Sequence, residues 1–438
     1  MAAAITLVAA LIIILAGIVI ASSLFNWLVP RTISSGGSDE TYPGAEATVA
    51  ETYVPSFGPP SSWDLPALSS SDIAWAHVFG GYEYDAFESV AFGAGGTISV
   101  TGVTLSSDGD FGQNPSGVGG GVVTGFLNPD GVATQFGVQP GDISQVLATS
   151  DGFITVAPQS ITKYTASGLQ LWQVSMWGID SGCVRPDGSV TYLVRGMTGL
   201  FSLYNVLPDG TPAGSVEVDG TALASGTTHV AAMPNGDTVV IGRMLDGNSM
   251  RQDDYVEMVD PSGHVRWINS FSDASSSVVL NDVITTSQGL IVVVGSASQS
   301  GPSGEDEALA IGLSATGDVA WRWTGIGSGY SSYFNGVTEA PNGDIIAVGA
   351  SSGWVSGNFP ETVGAVARLS ADGDFKTTAI VDGDGAVEIF GVAAGNDGIA
   401  LVGGTSSSIG LVMSHHPGRD LAAGRDAFVL LVKPDSLS

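Results

Sequence analysis

The residues of this chain that could do chemistry are few and scattered. Five histidines stand at 77, 229, 264, 415 and 416, a lone cysteine at 183, and ten arginines fall singly along the sequence. Nucleophilic catalysis needs a Ser or Cys, a base and an orienting group converging on one point, and no G-x-S-x-G elbow marks such a set. Oxygen ligands for Ca²⁺ are offered by Asp382-Gly383-Asp384-Gly385 and by Gly304-Glu305-Asp306-Glu307. Neither run has the spaced D-x-D-x-D-G order of a calcium loop. Turn chemistry accounts for the first and solvation for the second, which leaves Asp382 and Asp384 as weak metal candidates and no other cofactor expected. His415-His416 with Asp420 is weaker still, because adjacent side chains in an extended segment point apart. Cys183 excludes an intrachain disulfide and is expected as a small buried apolar residue. The balance of these residues is that of a protein which is not an enzyme.

Charge narrows the partners. The chain has 43 acidic against 13 basic residues and a net charge of −30. Nucleic acid is excluded, since phosphates need Lys and Arg. A hydrophobic fraction of 44% with only 13% charged residues gives a packed core rather than an acidic disordered tail.

The elements that position these residues repeat. Gly96, Gly152, Gly188, Gly236, Gly289, Gly343 and Gly398 each precede a short apolar, mostly β-branched run, at spacings of 36 to 56 residues. Between them, a turn glycine is followed four residues later by tryptophan at Gly168/Trp172, Gly263/Trp267 and Gly317/Trp321, and Gly131, Gly210 and Gly373 hold the same place without it. Pro-Asn-Gly-Asp and Asp-Gly turns separate the runs, and no 3.6-residue period occurs after residue 72. Such a period built from four short strands predicts a propeller, and seven copies predict seven blades. The run Ala427–Lys433 lacks a following Trp strand, while Ile73–Phe79 with Trp75 is an orphan at the other end. These two are expected to pair and seal the ring through Ile73, Trp75, Val78, Phe428, Val429 and Leu431. Longer insertions recur after the apolar run, at 104–121, 297–307, 351–363 and 405–425, and predict one loop-rich face. With Gly80-Gly81 and Asp426-Ala427-Phe428-Val429, residues 72–438 resemble the bacterial surface β-propeller repeats. The Gly-x-x-x-Trp marks are also similar to those of quinone-cofactor propellers, where nearly every blade carries one; three here are read as packing.

The first 29 residues carry no charge, and the first basic side chain is Arg31. Ended by Pro30, they predict an apolar helix of roughly 43 Å, against about 30 Å for a bilayer core. Ile5, Leu7, Leu11, Ile12, Ile13, Ile14, Leu15, Ile18, Ile20 and Leu24 are its apolar surface, and Ala9, Ala10, Ala16, Gly17 and Ala21 permit close helix approach. This segment resembles the mature N-terminus of type IV pilin-like proteins, archaellins included, with Ile5 where bacterial pilins usually carry Glu. The resemblance implies a basic leader removed before Met1, a membrane pool, and then a helical homopolymer with these helices in its core.

The expected organisation is an N-terminal hydrophobic helix (1–30), a Ser/Pro/Gly-rich linker (31–71) and a mainly-β, seven-bladed propeller (72–438). The expected function is a subunit of an extracellular filament for motility or adhesion. The alternatives are a membrane-anchored surface propeller that binds a ligand and, less favoured, a propeller enzyme.

Overall fold

The computed structural model describes residues 65–438 except 113–119, 140, 142–144, 197–199, 219–228, 246–251, 272–275, 300–305, 327–330, 355–359, 416–423 and 438. The predicted helix 1–30, with its ten apolar residues, lies outside the described residues, as does the linker to residue 64. Among the described residues no helix is long and apolar enough to cross a membrane.

The strands form seven four-stranded antiparallel sheets. Six are continuous in sequence: blade 1 spans 85–139, blade 2 145–175, blade 3 179–217, blade 4 229–270, blade 5 276–325 and blade 6 331–381. Blade 7 joins 387–432 to 73–79. The first strands of successive blades contact one another around a closed ring, so they line an axis and the fourth strands form the rim. Second strands such as Gly398–Thr405 are buried throughout, because neighbouring blades cover both faces of a sheet. Rim strands such as Val319–Gly325 alternate between exposed and half-buried residues, because only one face meets a neighbour. Continuous apolar runs and alternating Trp strands are therefore the two sequence images of inner and outer positions.

The ring is closed by one antiparallel sheet that combines strands from opposite ends of the propeller sequence. Strand Ile73–Phe79 pairs antiparallel with Asp426–Val432, placing Ile73 opposite Val432, Trp75 opposite Leu431, His77 opposite Val429 and Val78 opposite Phe428. The structure moves one boundary. Residues 65–71, placed above in the linker, strap the rim strand Phe375–Val381 of blade 6 through Pro66, Ala67 and Leu68. Leu68 N–H donates to the Ile380 carbonyl at 2.9 Å, Ile380 N–H donates to the Pro66 carbonyl at 3.0 Å, and Leu68 is buried. An open strand edge leaves backbone groups unpaired, and an extended apolar segment satisfies them.

Tryptophans staple blades together at their outer turns. Trp75, Trp172, Trp267 and Trp321 donate their indole N–H groups to the carbonyls of Pro129, Pro208, Ala315 and Ala371 in the next blade, at 2.9, 2.9, 3.0 and 3.2 Å. Each acceptor lies two residues before a turn glycine, Gly131, Gly210, Gly317 or Gly373, against which the same ring packs. At Gly317/Trp321 the Gly-x-x-x-Trp spacing is two halves of adjacent staples, the glycine receiving the Trp267 ring and Trp321 delivering the next, whereas Gly168 and Gly263 receive no tryptophan. Cys183 is buried in the core between blades 3 and 4, and burial pushes its thiol up to about 12, as suits an apolar residue.

Candidate ligand-binding channel

Five of the seven inner strands carry a β-bulge at the same place. Pairing skips a residue between Phe87 and Ser89, Ile179 and Ser181, Leu280 and Asp282, Phe334 and Gly336, and Ile389 and Gly391. A bulge re-aims the extra residue out of the ladder. Glu88, Asp180, Asn281, Asn335 and Phe390 accordingly line the central cavity, with Gln145 and His229 at the starts of the remaining two inner strands. The cavity measures about 370 Å³ and opens to solvent.

Most of these polar groups are spoken for by the ring itself. Asn281 and Asn335 donate to the carbonyls of Phe334 and Ile389, each in the next blade, at 2.7 and 3.0 Å. The residue after the bulge works in the same direction: Ser89, Ser181 and Asp282 accept the backbone N–H groups of Val146, Val230 and Val337 at 3.1, 3.3 and 3.0 Å. Asp282 also lies 3.3 Å from His229 Nδ1. Asp180 accepts from Arg195 Nε at 2.9 Å. Except for the Asp180–Arg195 pair, which lies within blade 3, these contacts latch one blade to its successor at five of the seven seams.

The exceptions are His229, whose Nδ1 makes no hydrogen bond among the described residues, and Glu88. The Glu88 Oε2 is buried with no hydrogen-bond partner among the described residues, and burial pushes the carboxyl up to about 7. Arg425 Nη1 donates to Glu388 at 2.7 Å while its Nε finds no partner among the described residues, and Tyr333 donates to the other Glu388 oxygen. Burial, first of all, raises the Tyr84 and Tyr333 hydroxyls, which stay neutral.

A carboxyl held above its unfolded value, about 4.3 for Glu, keeps its proton more tightly when folded. Its contribution to stability is therefore full at acid pH and is lost as pH rises through about 7. Glu88→Gln is expected to unfold like the parent at about pH 4 and to be more stable by roughly 1–3 kcal/mol at about pH 8. Urea unfolding at the two pH values measures this, and an equal difference at both would refute it.

The other candidates fall elsewhere. Asp384 accepts from Ser407 Oγ at 2.9 Å and Ser408 N–H at 2.6 Å, so its carboxylate braces a loop of blade 7. Among the described residues no three His, Cys, Asp or Glu side chains, Asp382 and Asp384 included, form a group that could hold a metal. His415 donates its backbone N–H to Asp426 at 2.5 Å, and His416, Asp420 and Glu305 lie outside the described residues. The channel itself was missed from sequence, although Glu88-Ser89-Val90, Asn281-Asp282-Val283, Asn335-Gly336-Val337 and Phe390-Gly391-Val392 precede four of the apolar runs at matching positions.

No protein-family model matches the chain, and no curated relative matches it. Solved structures do. The WD40 domain of Pan2 from Neurospora crassa is 10% identical, covering 84% of this chain and 98% of that one, with a TM-score of 0.50. BamB from Moraxella catarrhalis is 14% identical over 79% of this chain and 86% of that one, with a TM-score of 0.36. A protein of unknown function from Bacteroides caccae is 13% identical over 59% of this chain and 89% of that one, at 0.39. At such identities the likeness to the Pan2 domain speaks to fold alone, and the fold is a seven-bladed β-propeller.

Proposed function

We propose that this protein is a non-catalytic binding module of the cell surface, whose central channel takes a small ligand bearing an ammonium group. The observation that carries the reading is Glu88, a carboxylate lining an open cavity whose buried Oε2 has no hydrogen-bond partner among the described residues. A cationic ligand would supply the missing counter-charge, and Phe390 at the equivalent place in the adjacent blade offers an aromatic face. The test is calorimetric titration at about pH 8 with choline and with its neutral carbon isostere 3,3-dimethylbutanol. Choline binds, the isostere does not, and Glu88→Gln weakens choline about tenfold or more, as expected for a charge-assisted contact. Equal binding of both probes, no choline binding, or an unaffected variant would overturn the reading.

A second reading concerns display. The uncharged segment Met1–Val29 and the Ser/Thr/Pro/Gly-rich stretch after it favour a propeller carried on a stalk from an apolar helix, and a pilin-like filament core is one way to hold such helices. In that reading Ile13→Asp or Leu15→Asp abolishes filaments seen by electron microscopy and leaves the propeller folded. Filaments formed normally by both variants would leave the simple membrane anchor.

A further inference from the structure

The seams between blades are not alike. Four are pinned by tryptophan staples and three are not; blades 3 and 6 carry Gly214 and Thr377 at the stapling position, while blade 1 carries Gln135, and Gly168 of the blade 2 turn meets Phe126 and the Gln135 amide. The core of this seam is also the smallest in the ring: Ala91, Phe126, Val146 and Phe153. The Phe126 ring and the Gln135 amide thus stand where a tryptophan ring lies in the stapled seams, and a space opens beside them. The opening continues as a groove in two connected parts of about 400 and 340 Å³, which share Thr124, Gln139 and Tyr164. It runs from the outer turn at Ser167–Gln170 up to Pro158 and Trp177 beside the mouth of the channel.

Two properties of the groove point to a ligand class. First, not one lining residue carries a charge, on a chain whose net charge is −30. The walls are amides and hydroxyls, and the side chains of Gln139, Gln159 and Gln173 make no hydrogen bond among the described residues. Second, Trp177 at the upper end is 76% exposed, and its indole N–H is not used within the described protein, unlike those of the four stapling tryptophans. A flat aromatic face with flanking amides suits a sugar, whose ring presents a C–H face for stacking and hydroxyls that need both donors and acceptors. A charged ligand would be desolvated here without a counter-charge.

We infer that the seam between blades 1 and 2 is a binding cleft for a neutral oligosaccharide, with Trp177 as its stacking platform and the free glutamine amides as its hydroxyl readers. The cleft does not rest on the channel reading.

The experiment titrates the full chain in detergent with maltohexaose, cellohexaose, chitohexaose and the acidic hexagalacturonate, following tryptophan fluorescence and heat. At least one neutral hexasaccharide binds and the acidic one does not. Trp177→Ala, an exposed position, weakens that binding about tenfold or more. Gln135→Trp supplies the absent staple, raises the unfolding temperature and also weakens binding about tenfold. Choline binding by the same preparations is unchanged by Trp177→Ala, which separates failure of the cleft from failure of the channel. Absence of neutral-glycan binding, equal binding of hexagalacturonate, or binding that survives both variants would overturn the proposal.

Discussion

Gly349→Val is expected to abolish cooperative folding. Gly349 lies opposite Phe334, the residue just before a channel bulge, and a Cβ there would stand 2.0 Å from the Tyr333 carbonyl oxygen and 2.7 Å from the Phe334 Cα. Both obstacles are backbone of a buried strand, so no rotamer change relieves them. The inner strand must move, and with it the Asn335 bond to Ile389 that latches blade 6 to blade 7. Damage of this kind exceeds about 4 kcal/mol, a large part of the 5–15 kcal/mol by which a domain is stable. The same clash is built in at Gly102, Gly295 and Gly403, each opposite the residue before a bulge. Gly137→Ala is the control. A Cβ there meets nothing within 4 Å, so stability changes by less than about 0.5 kcal/mol. Denaturant unfolding of the two variants compares them directly, and a well-folded Gly349→Val protein would show that the bulge is not what fixes the glycine.

Removal of the closure strand is expected to be as damaging by a different route. A chain beginning at residue 65 keeps the strap and Ile73–Phe79, and should be a folded monomer by sedimentation. A chain beginning at residue 80 exposes the whole edge of Asp426–Val432, a strand buried at every position. It also loses Trp75 from the Gly131 turn and Phe79 from the core shared by blades 7 and 1. An unpaired edge that is apolar from Ala427 to Val432 pairs with other copies, so oligomers and aggregates should replace the monomer. Adding a peptide of residues 65–79 in trans should restore monomer, because the strand enters by edge pairing. A soluble monomer from the shorter chain, with an unchanged unfolding temperature, would show that the ring does not need its seal.

Much of this fold could be read from the chain. The glycine-led apolar runs gave the number of blades because a strand covered on both faces is apolar at every position, and that leaves a continuous signal. The orphan Ile73–Phe79 and the partnerless Ala427–Lys433 pointed to each other by elimination, since an open edge is costly. The candidate site was not legible in the same way. Glu88, Asp180 and Phe390 are ordinary letters in the middle of strands, and nothing in a period-2 pattern says that one of them has been turned out of its ladder. The strap at residues 65–71 was hidden for a similar reason: Leu65-Pro66-Ala67-Leu68 looks like a linker until the rim strand that it satisfies is beside it.

The division follows from distance along the chain. The sequence by itself determined what depends on near neighbours: strand identity, turn positions, the repeat, the acidic surface and the absence of a catalytic signature. Tertiary structure alone decided what depends on residues about 50 positions apart being brought into register around one axis: the five bulges, the carboxylate left without a partner, and the one seam where glutamine stands in place of tryptophan. A repeat makes every blade look alike locally. Only closing the ring shows which positions the neighbours fill and which they leave open.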